Sequence, residues 1–280
     1  MMTPEMKDKV VLVTGATDGL GKRVALDLAG SGATVLLHGR DPRKGEAVLR
    51  QIREATDNGK LSYYNADFSS LEAVRQLSEK IMTDQTRLDV LINNAGMGAG
   101  MRGDLRQLSM DGHELRLAVN YLAPYLLTHR LLPLLRRCAP ARIVNVASVG
   151  QQALDFDDPM LADGYDGLRA YRQSKLALVM FTFDLAEDLS TSGVTVNSLH
   201  PASLMNTNMV ADTDYFDGPL STIEEGAQAV EYLAASVELE GVTGAYFDGK
   251  IRARAISQAY DAEARRKLRM LSERLTRTGE

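Results

Sequence analysis

Cysteine is almost missing from this chain: Cys138 stands alone among 280 residues. An internal disulfide is excluded, and nothing beside it resembles a metal pair. It reads as a small core residue, and a reducing cytoplasm is the expected setting. No apolar run approaches the roughly 20 residues needed to cross a bilayer. The opening "MMTPEMKDKVVLVTG" has no basic stretch followed by a long apolar core, so it does not read as a signal peptide. Excess positive charge is lacking too. The net charge of −5 argues against nonspecific nucleic-acid binding, which sets Lys and Arg against phosphate. His38, His113, His129 and His200 show no ligand spacing, no HExxH occurs, and structural roles are expected for all four. No repeat, low-complexity tract or linker interrupts the chain.

What is present is an ordinary globular composition, 45% hydrophobic and 25% charged. Short apolar runs alternate with longer helical patterns. Strands are expected at 9–15, 33–39, 61–67, 88–96, 141–148 and 193–201, with a late short one at 244–249. Helices are expected at 19–30, from Pro42 to about Ala55, over 69–83, in a long segment ending near Arg137, and around Tyr171. Strands apolar throughout, each followed by a helix, imply a parallel sheet covered on both faces. The fold class is α/β, a doubly wound parallel sheet of about seven strands in one domain. Its ligands should gather beyond the carboxyl ends of the strands.

"TGATDGLG" at 14–21 follows the first strand and opens the first helix. Gly15, Gly19 and Gly21 permit a tight turn, a close approach by pyrophosphate, and close helix packing. Amides at the helix N-terminus then face the anion. Gly15, Thr17, Asp18, Gly19, Leu20 and Gly21 are therefore candidate dinucleotide contacts. After the second strand comes "HGRDP". A carboxylate at its tip would bind the ribose 2′-hydroxyl, whereas an arginine accepts a 2′-phosphate. Arg40 offers such a fork, so NADP(H) is expected in preference to NAD(H). The bland alternative is a loop arginine paired with Asp41.

"AYRQSKLAL" at 170–178 places Tyr171 and Lys175 one helical turn apart. Positions i and i+4 share a face, so the phenol and the ammonium can be neighbours. Free tyrosine titrates near 10, and a nearby cation should bring it toward the working range. On spacing alone the pair is an amphipathic rim contact. With the glycine turn it reads as an acid–base unit.

Together with "NNAG" at 93–96, Asn120, Ser148 and "YxxxK" at 171–175, the chain resembles the short-chain dehydrogenase/reductase family over nearly its whole length. "AVNYLAPYLLTHRLLPLL", "YRQSKLALVMFTFDLAEDL" and "KLRMLSERLT" resemble its retinol dehydrogenase-like branch. Anchored members of that branch carry an apolar N-terminal helix. Here the first strand begins by about Lys9, and a soluble protein without membrane partners is expected. The resemblance implies that Tyr171 exchanges a proton with the substrate oxygen while the cofactor exchanges hydride. It implies that Ser148 bonds that oxygen, that Lys175 also holds the nicotinamide ribose, and that Asn120 holds a relay water. By the same resemblance Asp67 and Phe68 meet the adenine, and Asn93, Asn94, Ala95 and Gly96 line the adenosine side. A homo-dimer or homo-tetramer paired through the fourth and fifth helices is implied as well.

Two segments depart from the family pattern. "VGQQALDFDDPMLADGYDGLRA" separates Ser148 from Tyr171 by about ten more residues than in short members, and reads as a surface loop near 149–168 over the substrate entrance. Tyr165 in it lacks a lysine four places on and is rejected as the acid. After the sixth strand, "HPASLMNTNMV" has Ala202 where glycine is usual. The nicotinamide contact falls among Ser203, Asn206 and Thr207, and Thr207 is chosen. Residues 202–221 read as a mobile lid. Met97, Met101, Met205 and Met209 are set equally between an adaptable pocket and loop packing. The segment 263–278 reads as a solvated amphipathic helix. The expected activity is hydride transfer between NADP(H) and a carbonyl or secondary alcohol on a small to medium, largely apolar substrate. The alternatives are an NADP-binding regulator without turnover and an NAD-dependent alcohol dehydrogenase.

Overall fold

The computed structural model describes residues 6–278. Residues 1–5 of the opening segment lie outside the described residues. One sheet runs in the order β3-β2-β1-β4-β5-β6-β7-β8. Its strands are β1 Val10–Val13, β2 Thr34–Gly39, β3 Leu61–Asn65, β4 Val90–Asn93, β5 Ala141–Val146, β6 Val194–His200, β7 Ala245–Asp248 and β8 Ile251–Ala253. All neighbours are parallel except β7 and β8. The antiparallel β8 was not expected from the sequence. It is three largely exposed residues, too short to show a period, turned back through Gly249 at φ 58°.

The helices are α1 Gly19–Gly30, α2 Pro42–Thr56, α3 Leu71–Asp84, α4 Ala123–Arg137, α5 Gly167–Asp188, α6 Ile223–Ala235 and α7 Ala262–Thr276. Their starts are set by side chains that accept the orphan amides. Asp41, Ser70, Asp166 and Asp261 cap α2, α3, α5 and α7, and a Thr222/Glu225 capping box opens α6. The fourth helical segment is not continuous. One turn, Leu115–Leu117, passes into a π turn, Ala118–Leu122, before α4, and the Ala123 N–H reaches back five residues to Ala118. Pro124 has no N–H to return to Asn120 four residues earlier, so the ordinary ladder fails at this point.

Alternate residues of the strands feed two apolar layers. Val11, Val13, Val35 and Leu37 pack beneath α1, α2 and α6, while Leu12, Leu36, Leu91 and Ile143 pack beneath α3, α4 and α5. Burial on both faces is why the strands read as unbroken apolar runs. The topology is the doubly wound Rossmann arrangement, with β1 between β2 and β4 at the reversal of strand order.

Polar groups tie the second layer to the sheet. The Asn93 amide donates to Asn145 at 2.8 Å and to Thr128 of α4 at 3.0 Å, and Asn145 donates to Thr182 of α5 at 2.9 Å. Asn93 is thus spent in the core, which corrects the expectation that it lines a cofactor crevice. The α7 helix is also not simply solvated. Leu268 and Leu271 are buried, the Tyr121 and Ser272 hydroxyls lie 2.6 Å apart, and Arg265 and Arg269 pair with Asp184, Glu187 and Asp188 of α5. Its alternating charges are therefore a docking face on α5 as much as a wet one. Among the described residues no helix is long and apolar enough to cross a membrane.

Gly45 in α2 tests this packing. Propensity alone favours Ala in a helix interior by about 1 kcal/mol. A Cβ there, however, would lie 2.1 to 2.4 Å from ring carbons of Tyr63, whose hydroxyl donates to the carbonyls of Gly39 and Asp41 at 2.9 Å each. The anchored ring cannot swing aside. Gly45→Ala should lower stability by about 1–3 kcal/mol in urea unfolding, and a stabilised variant would contradict this packing.

Candidate active site

The site begins where β1 ends. Gly15 and Gly19 have φ of 67° and 47°, in the left-handed region that other residues avoid. A Cβ on Gly21 would lie 2.2 Å from the Gly15 carbonyl oxygen, so that approach admits glycine alone. Asn94 donates to the carbonyls of Thr14 at 2.8 Å and Gly15 at 3.3 Å. The Thr14 hydroxyl accepts from the Asn94 and Ala95 amides, each at 2.9 Å. The exits of β1 and β4 are thereby clamped at the switch point, and a dinucleotide cradle fits there.

His38 holds the same turn from below. Its Nδ1 accepts from the Gly15 amide at 3.3 Å, and its Nε2 lies 3.1 Å from the Ala66 carbonyl, which assigns the Nε2–H tautomer. The ring stacks on Phe68 at 4.2 Å, and burial pushes its pKa down to about 4. The sequence reading made His38 structural, and the structure makes it the support of the glycine turn. Phe68 is only 4% exposed and Leu20 8%, so their side chains pack inward. As candidate cofactor contacts, both are limited to main-chain atoms. Asp67 is partly exposed at the end of β3 and accepts from the Ser69 amide at 2.9 Å.

Beyond β2, Arg40 is exposed. The alternative of an Arg40–Asp41 pair fails: the Asp41 carboxylate accepts from the Arg43 and Lys44 amides at 2.9 and 3.1 Å. Among the described residues no ion pair holds Arg40. Thr17 crowds Gly39, where a Cβ would lie 2.5 Å from the threonine methyl. Tyr63, donating to the carbonyls on both sides of Arg40, fixes the turn that presents it. The sequence reading missed Tyr63. Its one signal was an aromatic on an edge strand, paired with Leu37 beside the tip of β2.

The third group comes from β5 and α5. Ser148 is buried just beyond β5, and its hydroxyl accepts from the Gly150 amide at 3.0 Å. Its carbonyl accepts from Tyr246 at 3.0 Å and Gln151 at 2.8 Å. Tyr171 is partly buried in the second turn of α5, and a Cβ on Gly150 would meet both the Ser148 hydroxyl at 3.3 Å and the Tyr171 ring at 3.6 Å. Lys175 is 3% exposed, donates to the Val146 carbonyl at 2.9 Å, and stands 5.8 Å from the Tyr171 ring centre. Asn120 accepts from the Met97 amide at 2.8 Å and donates to the Met97 carbonyl at 3.1 Å and Ser174 at 2.9 Å. Gly96 faces both: a Cβ there would meet Asn120 at 3.2 Å and Lys175 at 3.5 Å.

The electrostatics correct one expectation. Burial raises the Tyr171 pKa, and only the Ser148 hydrogen bond opposes it. Lys175 is itself taken down to about 8 by burial, and its ammonium donates to the Val146 carbonyl. The raised pKa keeps Tyr171 protonated.

The description "short chain dehydrogenase" belongs to the family whose profile matches residues 9–216. The chain belongs to the short-chain dehydrogenase family. It is 39% identical over 283 residues to Retinol dehydrogenase 13 of Homo sapiens, covering 95% of this chain and 84% of that protein. Retinol dehydrogenase 14 of Mus musculus is 36% identical over 296 residues, covering 96% and 86%. A solved structure of an uncharacterised protein from Mycobacterium paratuberculosis superposes with a TM-score of 0.80 at 30% identity, over 99% of this chain and 96% of that one. A short chain dehydrogenase from Escherichia coli CFT073, complexed with NADPH, gives 0.72 at 28% identity, over 89% and 99%.

In this short-chain dehydrogenase the segment between Ser148 and Gly167 forms no helix or strand, and it is tethered. Arg106 donates to the Met160 carbonyl at 2.8 Å, and Leu154 and Gln258 exchange two bonds. Thr207 packs against Gly19, and Asn208, which opens the one-turn helix Asn208–Ala211, donates to Asp18. Thr207 thus sits by the glycine turn. The four methionines divide, and Met97 is half-buried with its amide donating to Asn120. Met205 packs back on Gly226, Met209 leans on Gly98, and Met101 is 47% exposed.

The neutral state of His38 has a measurable consequence. Its folded pKa lies below the ordinary 6.5, so its contribution to stability is complete above that pH and is lost as pH falls toward about 4. The full loss is about 3 kcal/mol, and urea midpoints should drop progressively between about pH 6.5 and pH 4. The buried His129, also pushed down to about 4, acts in the same sense. His38→Asn should flatten the drop, and an unchanged slope would remove this role.

Proposed function

We propose that the chain is an NADP(H)-dependent oxidoreductase acting on the carbonyl or secondary alcohol of a small to medium, largely apolar molecule. The observation that carries this reading is Tyr171 and Ser148 flanking Gly150, with Lys175 one turn on and facing Gly96 at the sheet's carboxyl edge. Bound NADP(H) supplies or accepts the hydride. Tyr171 gives its proton to the substrate oxygen in reduction and removes the hydroxyl proton in oxidation. Ser148 bonds that oxygen where charge develops. Lys175 supplies the positive charge and a ribose contact. Asn120, clamped to Met97 and Ser174, is assigned to holding the loop against α5, with its relay-water role left to the same position.

Gly15, Thr17, Asp18, Gly19, Leu20 and Gly21 are assigned to the pyrophosphate end. Asp67, Phe68, Asn94, Ala95 and Gly96 are assigned to the adenosine side, and Thr207 to the nicotinamide contact. Arg40 selects NADP(H), because its guanidinium has no carboxylate partner and Asp41 is spent on its cap. The NADPH complex of the Escherichia coli neighbour supports that choice. The names of the retinol dehydrogenase relatives support an apolar alcohol or aldehyde as the substrate class. We further propose one domain over residues 1–280, with substrate loops at 149–168 and 202–221, in the cytoplasm. Because α7 lies across α5, pairing of two copies through α4 and α5 would have to displace it.

A regulator without turnover has no use for an acid held at a serine, and that difference is testable. Tyr171→Phe should lower kcat by about 10²–10⁴-fold with NADPH affinity retained, measured by NADPH oxidation and fluorescence titration. Turnover undiminished in that variant would remove the mechanism. Arg40→Ala should weaken NADPH binding by about 10–100-fold and leave NADH unaffected. Equal losses for both cofactors would return the NAD-dependent alternative.

A further inference from the structure

Behind the substrate side lies a buried charged cluster that the catalytic scheme does not use. Arg116, at the turn before the π segment, and Glu114 have side chains only 4% and 2% exposed, 3.8 Å apart. Burying such a pair is costly unless every donor is placed. Here the guanidinium donates to the Gly98 carbonyl at 2.8 Å, to the Ala99 carbonyl, and to the Tyr165 hydroxyl. Tyr165 passes its proton on to Glu114 at 3.1 Å, and Glu114 accepts from the Leu117 amide at 2.7 Å. The backbone wraps this cluster closely. A Cβ on Gly100 would lie 2.6 Å from the guanidinium, and one on Gly167 would lie 2.2 Å from the Ala99 oxygen.

The three partners of Arg116 belong to two separate walls. Gly98 and Ala99 continue from the Gly96 cradle, and Tyr165 ends the long insertion just before α5 carries Tyr171. The lid rests on the same two walls. Thr213 donates to the Gly100 carbonyl at 2.7 Å, and Tyr215 donates to Asp166 at 3.0 Å beneath the Arg102 guanidinium.

We infer that Arg116 and Tyr165 are positioning residues that join the β4 exit loop to the insertion and so set the mouth through which the apolar substrate enters. The inference rests on the proposed oxidoreductase reading for its substrate and on geometry alone for its clamp. It gives Tyr165 a task other than acid catalysis. The cofactor cradle, held by Asn94 and His38, does not depend on the clamp.

Tyr165→Phe removes one hydroxyl and leaves the ring over Arg116. With NADPH and a series of straight-chain aldehydes, its KM should rise about tenfold. Its kcat and NADPH affinity should stay within about twofold of the parent. Hydrogen exchange should quicken in backbone 97–104 and 151–166 together, and Arg116→Lys should show the same split more strongly. An unchanged KM, or an NADPH affinity that falls in parallel, overturns the inference. If the parent turns over no aldehyde, the functional reading has failed, and hydrogen exchange alone decides the clamp: unaltered exchange in either segment refutes it. Should Tyr165→Phe not fold, the half-buried Tyr215→Phe tests the lid side, where an unchanged KM and unchanged exchange over 205–218 likewise refute it.

Discussion

The approach of Gly21 to the Gly15 carbonyl leaves no room for a methyl group, and the rest of the site takes its position from it. With α1 that close to the end of β1, Asn94 can reach across from β4 and bond the same carbonyls. The two central strands then end at one height. The groups proposed to carry the chemistry are hung from their neighbours: Arg40 beyond β2, Ser148 beyond β5, and the tyrosine and lysine on the helix that follows. The polar row Asn93–Asn145–Thr182 fastens that helix to the sheet, so the distance from cradle to acid is set by buried hydrogen bonds.

Burial does most of the electrostatic work. His38 is kept neutral, Lys175 is brought down to about 8, and Tyr171 is pushed above its ordinary value. The Lys175 ammonium donates to the Val146 carbonyl and stands 5.8 Å from the Tyr171 ring centre, so burial outweighs its charge in setting the phenol's state.

Much of the fold was legible because strands buried on both faces and amphipathic helices leave different periods. The glycine turn, Ser148 and the Tyr171/Lys175 spacing were legible because their chemistry demands particular residues at particular intervals. The remainder was hidden for physical reasons. The break at Ala118–Leu122 follows from the missing N–H of Pro124, which looks harmless near a helix start. Phe68 and Asn93 lie in motifs that suggest ligand contact, yet alternation along the chain turns both inward. Tyr63, His38 and Arg116 act through partners 17 to 49 residues distant, and no local pattern marks such bonds.

The final helix, α7, grips α5 on its far half through Arg265 and Arg269, while Tyr171 sits near the opposite end of that same helix. Attachment through partly wet ion pairs loosens as electrolyte concentration rises, whereas oily contacts do not. The rod bearing Tyr171 is therefore capped at its start by the Asp166 carboxylate and braced at its tail by a tether that ionic strength tunes.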